Sequence, residues 1–241
     1  MNDYIIFNAA TETGGENVIE VRGVIVDDDG FWEGVDSAGR RQVREKLEAF
    51  DGDIRLIIDS EGGDVFAGLG IYDELIAYRE RTGAKISARI SFAASAATLV
   101  AMAADHVSLS PAAMFMVHKP WTIAAGNEND FDAVKGELRG ITETMIGVYQ
   151  TKSPLTRDEL YALIDGREGS HQGTWLYPDE AVEYGFADEV LTRAPHSAQN
   201  AYRGRVAACA RRFEAPKDKE EPKQDMSVLL DYYKNYFGED D

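Results

Sequence analysis

Short apolar segments with the composition of β-strands alternate along this chain with segments of helical periodicity. Residues 18–26, 54–58 and 85–90 are rich in Val and Ile, as buried strands usually are. Apolar residues at helical spacing occur over residues 36–50 and 65–81. Because strands that alternate with helices pair mostly in parallel, this pattern predicts an α/β layered domain.

A long amphipathic helix is predicted in the second half of the alternation. The remaining predicted elements are strands at 107–109, 114–117 and 187–191 and helices at 94–104, 130–151, 156–164 and 178–184. Apolar residues follow one face of the helix at 130–151: Phe131, Val134, Leu138, Ile141, Met145 and Val148. A stripe of this length predicts the interface of a closed homo-oligomer, and packing on the domain's own sheet is the alternative.

Composition and charge exclude several classes of function. The net charge of −18 argues against direct binding to nucleic acid, since phosphate contacts need clustered Lys and Arg. Cys209 is the only cysteine, which excludes an internal disulfide and favours a reducing compartment. The sequence shows neither a signal peptide nor an apolar segment of membrane-spanning length. These features predict a soluble cytoplasmic protein that binds no membrane.

Changes in composition along the chain predict three regions. Residues 1–17 are polar and predict a flexible N-terminal arm, whereas residues 18–191 carry the alternating pattern of the folded domain. Residues 192–241 predict a mobile tail, because its first part is poor in large apolar side chains. A short amphipathic stretch at 228–237 either packs on the domain or docks on a partner.

Residues suited to chemistry occur at three successive junctions of predicted elements. Ser60-Glu61-Gly62-Gly63 follows a strand, and paired glycines there let backbone N–H groups approach a ligand. Ser95 lies in the first turn of an Ala-rich helix, among the free N–H groups of its positive end. His118 ends an apolar strand, and Pro120 fixes the direction in which the chain leaves it.

Each of these features taken alone usually has a structural role. A Gly-Gly pair is most often a tight connection, a serine at a helix start is most often a cap, and a histidine at a strand end is most often a packing residue. Taken together they supply a nucleophile, a base and amide donors for an oxyanion. The combination therefore predicts a serine hydrolase.

The order of these features resembles the Clp protease proteolytic-subunit family. That family has a Ser-Pro-Gly-Gly turn, an Ala-Ala-Ser helix start and a Met-x-His-x-Pro segment. The corresponding segments here are SEGG at 60–63, AAS at 93–95 and MVHKP at 116–120. The resemblance extends over about residues 18–191 and includes EAVEYGFADEV at 180–190.

The resemblance implies both a fold and an activity. It implies the crotonase-like spiral of ββα units, with the helix at 130–151 as an oligomerisation handle of a ring. It also implies an endopeptidase that cleaves polypeptides through an acyl-enzyme without a cofactor. The segment HKPWTIAAGNENDF at 118–131 is similar to the phage-encoded branch associated with prohead (capsid) maturation. That branch implies capsid or scaffold proteins as substrates, and the host cytoplasm or the prohead as the location.

Site residues follow from the same resemblance, position by position. Ser95 matches the nucleophile and His118 matches the general base. The backbone N–H groups of Gly63 and Ala96 match the two donors of the oxyanion hole.

The third member of the triad is left between two acids. The family's acid falls within IDGREGSHQGTW at 164–175. Extra residues in this segment leave two possible alignments, which place the acid at Asp165 or at Glu168. The glycine turn also departs from the family, because Glu61 replaces the usual proline and Asp64 adds a carboxylate.

Two other functions are compatible with these departures. One is a catalytically inactive oligomeric scaffold or shell component, which the altered turn and the undefined acid favour. The other is an acyl-CoA hydratase or isomerase of the crotonase fold, for which Glu61 and Asp64 would supply the carboxylates. The spacing of the four histidines predicts no metal site, and without a phosphate-binding loop any ATP dependence would come from another chain.

Overall fold

Strands and helices alternate through the described part of the chain, which in this computed structural model comprises residues 17–27, 37–166 and 172–191. The strands are β1 (Asn17–Ile25), β2 (Ser37–Ala38), β3 (Ile54–Gly63), β4 (Ile86–Ala94), β5 (His106–Val117), β6 (Thr174–Leu176) and β7 (Glu189–Val190). The helices are α1 (Arg40–Ala49), α2 (Val65–Thr82), α3 (Ala96–Ala101), α4 (Glu128–Tyr149), α5 (Arg157–Asp165) and α6 (Pro178–Glu183).

These seven strands form one sheet with mainly parallel pairing. Its order is β2–β1–β3–β4–β5–β6, and β7 pairs with β5. Among the described strands, only β6 runs antiparallel to its neighbour. The mixed α/β fold predicted from the alternation is therefore confirmed. Because β3, β4 and β5 run in the same direction, the residues at their C-terminal ends meet at one edge of the sheet.

Alternate positions of the strands supply the core between the sheet and its helices. Leu56 and Ile58 of β3 and Ile90 of β4 are fully buried, each worth about 1.5–3 kcal/mol relative to exposure. α3 is buried at every position, because its small side chains let it pack closely. A Cβ added to Gly68 of α2 would lie only 2.9 Å from the Cβ of Ala96.

The predicted strands at 107–109 and 114–117 are wrong as separate elements, because both belong to β5. Each part pairs with β4 in its own register. Leu109 lies opposite Ile90 and Met114 lies opposite Phe92, so residues 110–113 form an irregularity in the ladder.

Other boundaries differ less from the prediction. The helix predicted at 94–104 is shorter, since β4 continues through Ala94 and α3 ends at Ala101. α2 ends at Thr82, one residue beyond the predicted helix, and Gly83 is its C-cap. Thr156, the first residue of the helix predicted at 156–164, caps α5, because its hydroxyl accepts a hydrogen bond from the N–H of Glu159.

α4 packs on the domain through its C-terminal half. Met145 and Val148 of the predicted apolar stripe are buried, whereas Phe131 is 51% exposed. Val134 and Leu138 are half-buried. Packing of the stripe on the domain itself is therefore limited to its C-terminal end, and the other end remains accessible.

Several predicted regions lie outside the described residues. They are residues 1–16 of the predicted arm, the predicted tail at 192–241 with its stretch at 228–237, and Glu168. Asn17, the last residue of the predicted arm, is instead the first residue of β1. Within the described ranges, no helix combines the length and the apolar character needed to cross a membrane.

Candidate active site

Ser95 lies on a sharp turn between β4 and α3. Its φ of 56° and ψ of −128° make it the one non-glycine residue with a positive φ in the described ranges. Its N–H donates to the carbonyl of Met116 at 2.9 Å, and its carbonyl accepts from the Thr98 hydroxyl at 2.6 Å. The Ser95 side chain makes no capping hydrogen bond to α3, so its hydroxyl is available at the sheet edge.

His118 directly follows β5, and its ring reaches Ser95. The Nε2 atom of His118 lies 2.7 Å from Oγ of Ser95. The N–H of the next residue, Lys119, donates to the carbonyl of Ile164 at 3.1 Å, which ties this segment to α5. The distance between Nε2 and Oγ is within the range needed for direct proton transfer.

Burial lowers the pKa of His118 below its usual value, and a hydrogen bond with the backbone of Lys119 opposes this to a smaller extent. A lowered pKa keeps the imidazole neutral at neutral pH. Only the neutral ring accepts a proton from serine. In the neutral tautomer that carries its proton on Nδ1, the Ser95 hydroxyl donates the hydrogen bond to Nε2.

The glycine pair that ends β3 lies against the Ser95 turn. A Cβ added to Gly62, whose φ is 87°, would lie 2.7 Å from the Cβ of Ser95 and 2.8 Å from the N of Ala96. Only glycine leaves this space open. The buried hydroxyl of Ser60 holds the turn, because it accepts from the N–H of Gly62 at 3.0 Å and donates to the carbonyl of Gly23 at 2.5 Å.

Gly63 and Ala96, which the resemblance implies as oxyanion donors, belong to these two adjacent segments. Ala96 is the first residue of α3, where backbone N–H groups have no partner within the helix. Gly63 is the last residue of β3 and lies opposite Ile25 in the ladder with β1.

The carboxylate of Asp165 is directed at Lys119. Its Oδ1 atom lies 2.5 Å from Nζ of Lys119. Within the described residues, no carboxylate makes a hydrogen bond to the His118 ring. The other candidate acid, Glu168, lies outside these residues. The structure therefore brings Ser95 and His118 together. The Asp165 carboxylate instead bonds Lys119, the residue after His118.

These groups suit acyl transfer, because a serine hydroxyl and an adjacent neutral imidazole supply the nucleophile and the general base that it needs. Residues 17–27, 37–166 and 172–191 contain no cluster of three or more His, Cys, Asp or Glu side chains that could hold a metal ion.

Comparison with known families identifies the chain's relatives. A model of the Clp protease family matches residues 43–194, more than half of the 241 residues. This chain belongs to the Clp protease family.

Two curated Clp relatives are similar to the chain over 141 residues. The ATP-dependent Clp protease proteolytic subunit of Bacteroides thetaiotaomicron is 31% identical, and that of Bacteroides fragilis is 30% identical. Each match covers 58% of this chain, and 61% and 65% of the respective relative. The chain thus spans less than two thirds of the length of these Clp subunits. The predicted family is confirmed, and residues 43–194, which the family model matches, include all six residues that the sequence proposed for the site.

Sequence reasoning missed two residues that support the candidate site. Thr98 bonds the carbonyl of Ser95, and its hydroxyl also lies 2.7 Å from the hydroxyl of the buried Tyr149 on α4. Gly173 lies beside His118. The contacts of Thr98 with Tyr149 and of Gly173 with His118 have no local signal in the sequence, because they join segments that are far apart along the chain.

Proposed function

We propose that this member of the Clp protease family is a serine endopeptidase that acts through Ser95 and His118. The observation that carries the proposal is the 2.7 Å distance between Oγ of Ser95 and Nε2 of His118. A serine hydroxyl becomes an effective nucleophile when an adjacent base takes its proton. Identity of about 30% to proteolytic subunits supports the same activity.

The proposed reaction has two steps, acylation and deacylation. In acylation, Oγ of Ser95 attacks the peptide carbonyl carbon while Nε2 of His118 takes its proton. The N–H groups of Gly63 and Ala96 bind the oxyanion, and the imidazolium then protonates the leaving amine as the C–N bond breaks. In deacylation, His118 takes a proton from water, whose oxygen attacks the ester, and then returns the proton to Ser95.

A third group that orients His118 would be Asp165 or Glu168. The ion pair between Asp165 and Lys119 engages the Asp165 carboxylate, so Asp165 would have to change partner to bond the ring. The described residues supply Ser95 and His118 as the reacting pair of the proposed triad, and the backbone at Lys119 helps to fix the ring segment.

The proposed biological role is maturation of a phage prohead. The segment from His118 to Phe131, HKPWTIAAGNENDF, supports this role over that of a housekeeping Clp subunit. Its substrates would be extended segments of capsid or scaffold polypeptides. Its location would be the host cytoplasm or the prohead.

A homo-oligomeric ring is the proposed assembly. The accessible N-terminal half of α4 supports it, because Phe131 is 51% exposed and the preceding loop exposes Trp121 and Ile123 by 69% and 88%. Large apolar side chains grouped at the surface usually mark protein interfaces.

The crotonase-type alternative is disfavoured by a hydrogen bond in the glycine turn. The carboxylate of Asp64 accepts from the N–H of Ala67 at 2.7 Å and so caps α2. A carboxylate used in this way is not poised for acid–base chemistry on a thioester. The inactive-scaffold alternative gives no reason for the contact between Ser95 and His118, because a scaffold needs no activated serine.

A fluorophosphonate probe tests the proposal, because it forms a covalent bond to an activated serine oxygen with loss of fluoride. Intact-mass measurement should show one added phosphonyl group on the wild-type chain and none on Ser95→Ala. Ser91→Ala is the matched control, since Ser91 lies on β4 four residues before Ser95 and is half-buried like Ser95. Equal labelling of Ser95→Ala would remove Ser95 as nucleophile, and an unreactive wild type would favour the inactive scaffold or the hydratase.

A further inference from the structure

Gly173 lies against the backbone of His118, just before β6. Its φ of 81° is in the left-handed region that favours glycine. A Cβ added there would overlap the His118 Cβ and the Val117 carbonyl oxygen, and it would lie 2.9 Å from the His118 Cα. These atoms belong to the backbone or are attached directly to it, so no side-chain rotation relieves the overlap.

β6, which begins at the residue after Gly173, is fixed on both sides. Thr174 pairs with Val117 in the antiparallel ladder, and its hydroxyl donates to the carbonyl of Leu163 at 2.5 Å. The ring of Trp175 stacks on that of Phe92 of β4, with centroids 6.3 Å apart and planes inclined by 12°. β6 is therefore held to α5 and to β4, and it cannot move away without breaking these contacts.

The His118 ring is the least anchored part of this contact. The Lys119 N–H ties the adjacent backbone to α5, and β6 is held by its ladder and a stacked aromatic pair, whereas the ring is held to Ser95 by one hydrogen bond. We infer that Gly173 is a positioning residue. Because it has no side chain, the start of β6 packs directly on the His118 backbone, and this packing sets the distance between the His118 ring and Ser95. This inference rests on the proposed function, in which that distance governs proton transfer.

A methyl group at position 173 should therefore impair chemistry more than substrate binding. A displacement of catalytic groups by about 1 Å costs on the order of 100-fold in rate. We expect Gly173→Ala to lower kcat by about 10- to 100-fold, with KM nearly unchanged.

The matched control is Gly52→Ala. Gly52 has a φ of 87°, close to that of Gly173, and a Cβ there would meet nothing within 4 Å. The two variants share the backbone strain of a left-handed alanine and differ in the contact with His118. Thermal unfolding of both proteins measures the shared strain.

Titration of the His118 ring by NMR supplies a readout that does not depend on catalysis. We expect the pKa of His118 to move up toward the usual histidine value in Gly173→Ala, because the ring leaves its buried contact with Ser95. It should stay unchanged in Gly52→Ala.

The outcomes separate this inference from the proposed function. An unreactive Ser95 in the wild type would overturn the proposed function, and the His118 titration would still decide the positioning role. If Gly173→Ala and Gly52→Ala agree in both kcat and the His118 titration, the inference is wrong. Should Gly173→Ala fail to fold, Thr174→Val loosens the anchor of β6 and must shift kcat and the His118 pKa in the same directions, by smaller amounts. No shift in either would overturn the inference.

Discussion

Oγ of Ser95 lies 2.7 Å from Nε2 of His118, although the two residues are 23 positions apart in the sequence. Parallel pairing of β4 and β5 produces this contact, because Ala94 lies opposite Met116 in the ladder. Ser95 comes one residue after Ala94, and His118 comes two residues after Met116. Both side chains therefore emerge at the same edge of the sheet, where active sites of parallel sheets are usually built.

The pH dependence of peptidase activity should follow the His118 ring. Since burial lowers the pKa of His118, the ring stays neutral until the pH falls below the usual range for histidine. We expect kcat/KM to rise with pH through this lowered pKa and to be at its plateau by neutral pH. Initial rates on a fluorogenic peptide across the acidic range provide the test, with Ser91→Ala as control. A flat profile, with chemistry shown to be rate-limiting, would exclude a histidine base.

Gly62→Ala should disable the site while leaving most of the fold intact. The added Cβ would press on the Cβ of Ser95 and on the N of Ala96, at 2.7 and 2.8 Å. The rate of labelling by a fluorophosphonate should fall by about 100-fold, the usual cost of misplacing a nucleophile.

Gly52→Ala is the control for this variant, because Gly52 and Gly62 both have a φ of 87° and nothing lies within 4 Å of a Cβ at position 52. Circular dichroism should show a folded protein in each case. Labelling of Gly62→Ala at the wild-type rate would show that the glycine turn and the Ser95 turn are not in contact in solution.

Much of the fold could be predicted because periodicity reports which faces are buried. The alternation in β3 and the apolar spacing in α2 are direct consequences of packing on one core. The interruption in β5 was predicted wrongly for a physical reason. Pro111 has no N–H to donate, which favours a break, yet it lies in the irregularity of β5 between Leu109, which pairs with Ile90, and Met114, which pairs with Phe92.

The site was predictable only in part. Ser95 and His118 were found through the order of motifs, which reflects the parallel strands that join them. The positive φ of Ser95 has no signal in the sequence, because serine has no preference for that region. The sequence also gives no indication that the Asp165 carboxylate bonds Lys119. The choice between His118 and Lys119 depends on side-chain geometry rather than on the position of Asp165 in the sequence.

Asp165→Asn tests which acid, if any, orients His118. Because the Asp165 carboxylate bonds Lys119, we expect this variant to lose less than about tenfold in kcat, whereas loss of a true orienting acid costs about 10⁴-fold. Glu168→Gln and His118→Ala should be measured beside it. A loss in Asp165→Asn as large as in His118→Ala would identify Asp165 as the orienting acid, and would show that its ion pair with Lys119 gives way during the reaction.

The N-terminal half of α4 leaves part of its apolar face accessible. Phe131 is 51% exposed on this helix, and half-buried Val134 and Leu138 continue its apolar face toward the domain. Covering such a face with another subunit removes apolar area from water, worth about 25 cal/mol for each Å². Sedimentation at several concentrations should therefore show a closed oligomer of the 26.6 kDa chain. Phe131→Glu should shift it toward monomer, because a charge would be placed in the interface. Asp132→Ala is the control, since position 132 lies about 100° around the helix from position 131. A wild type that stays monomeric at micromolar concentration would overturn the ring, and dissociation of both variants alike would place the interface elsewhere on α4.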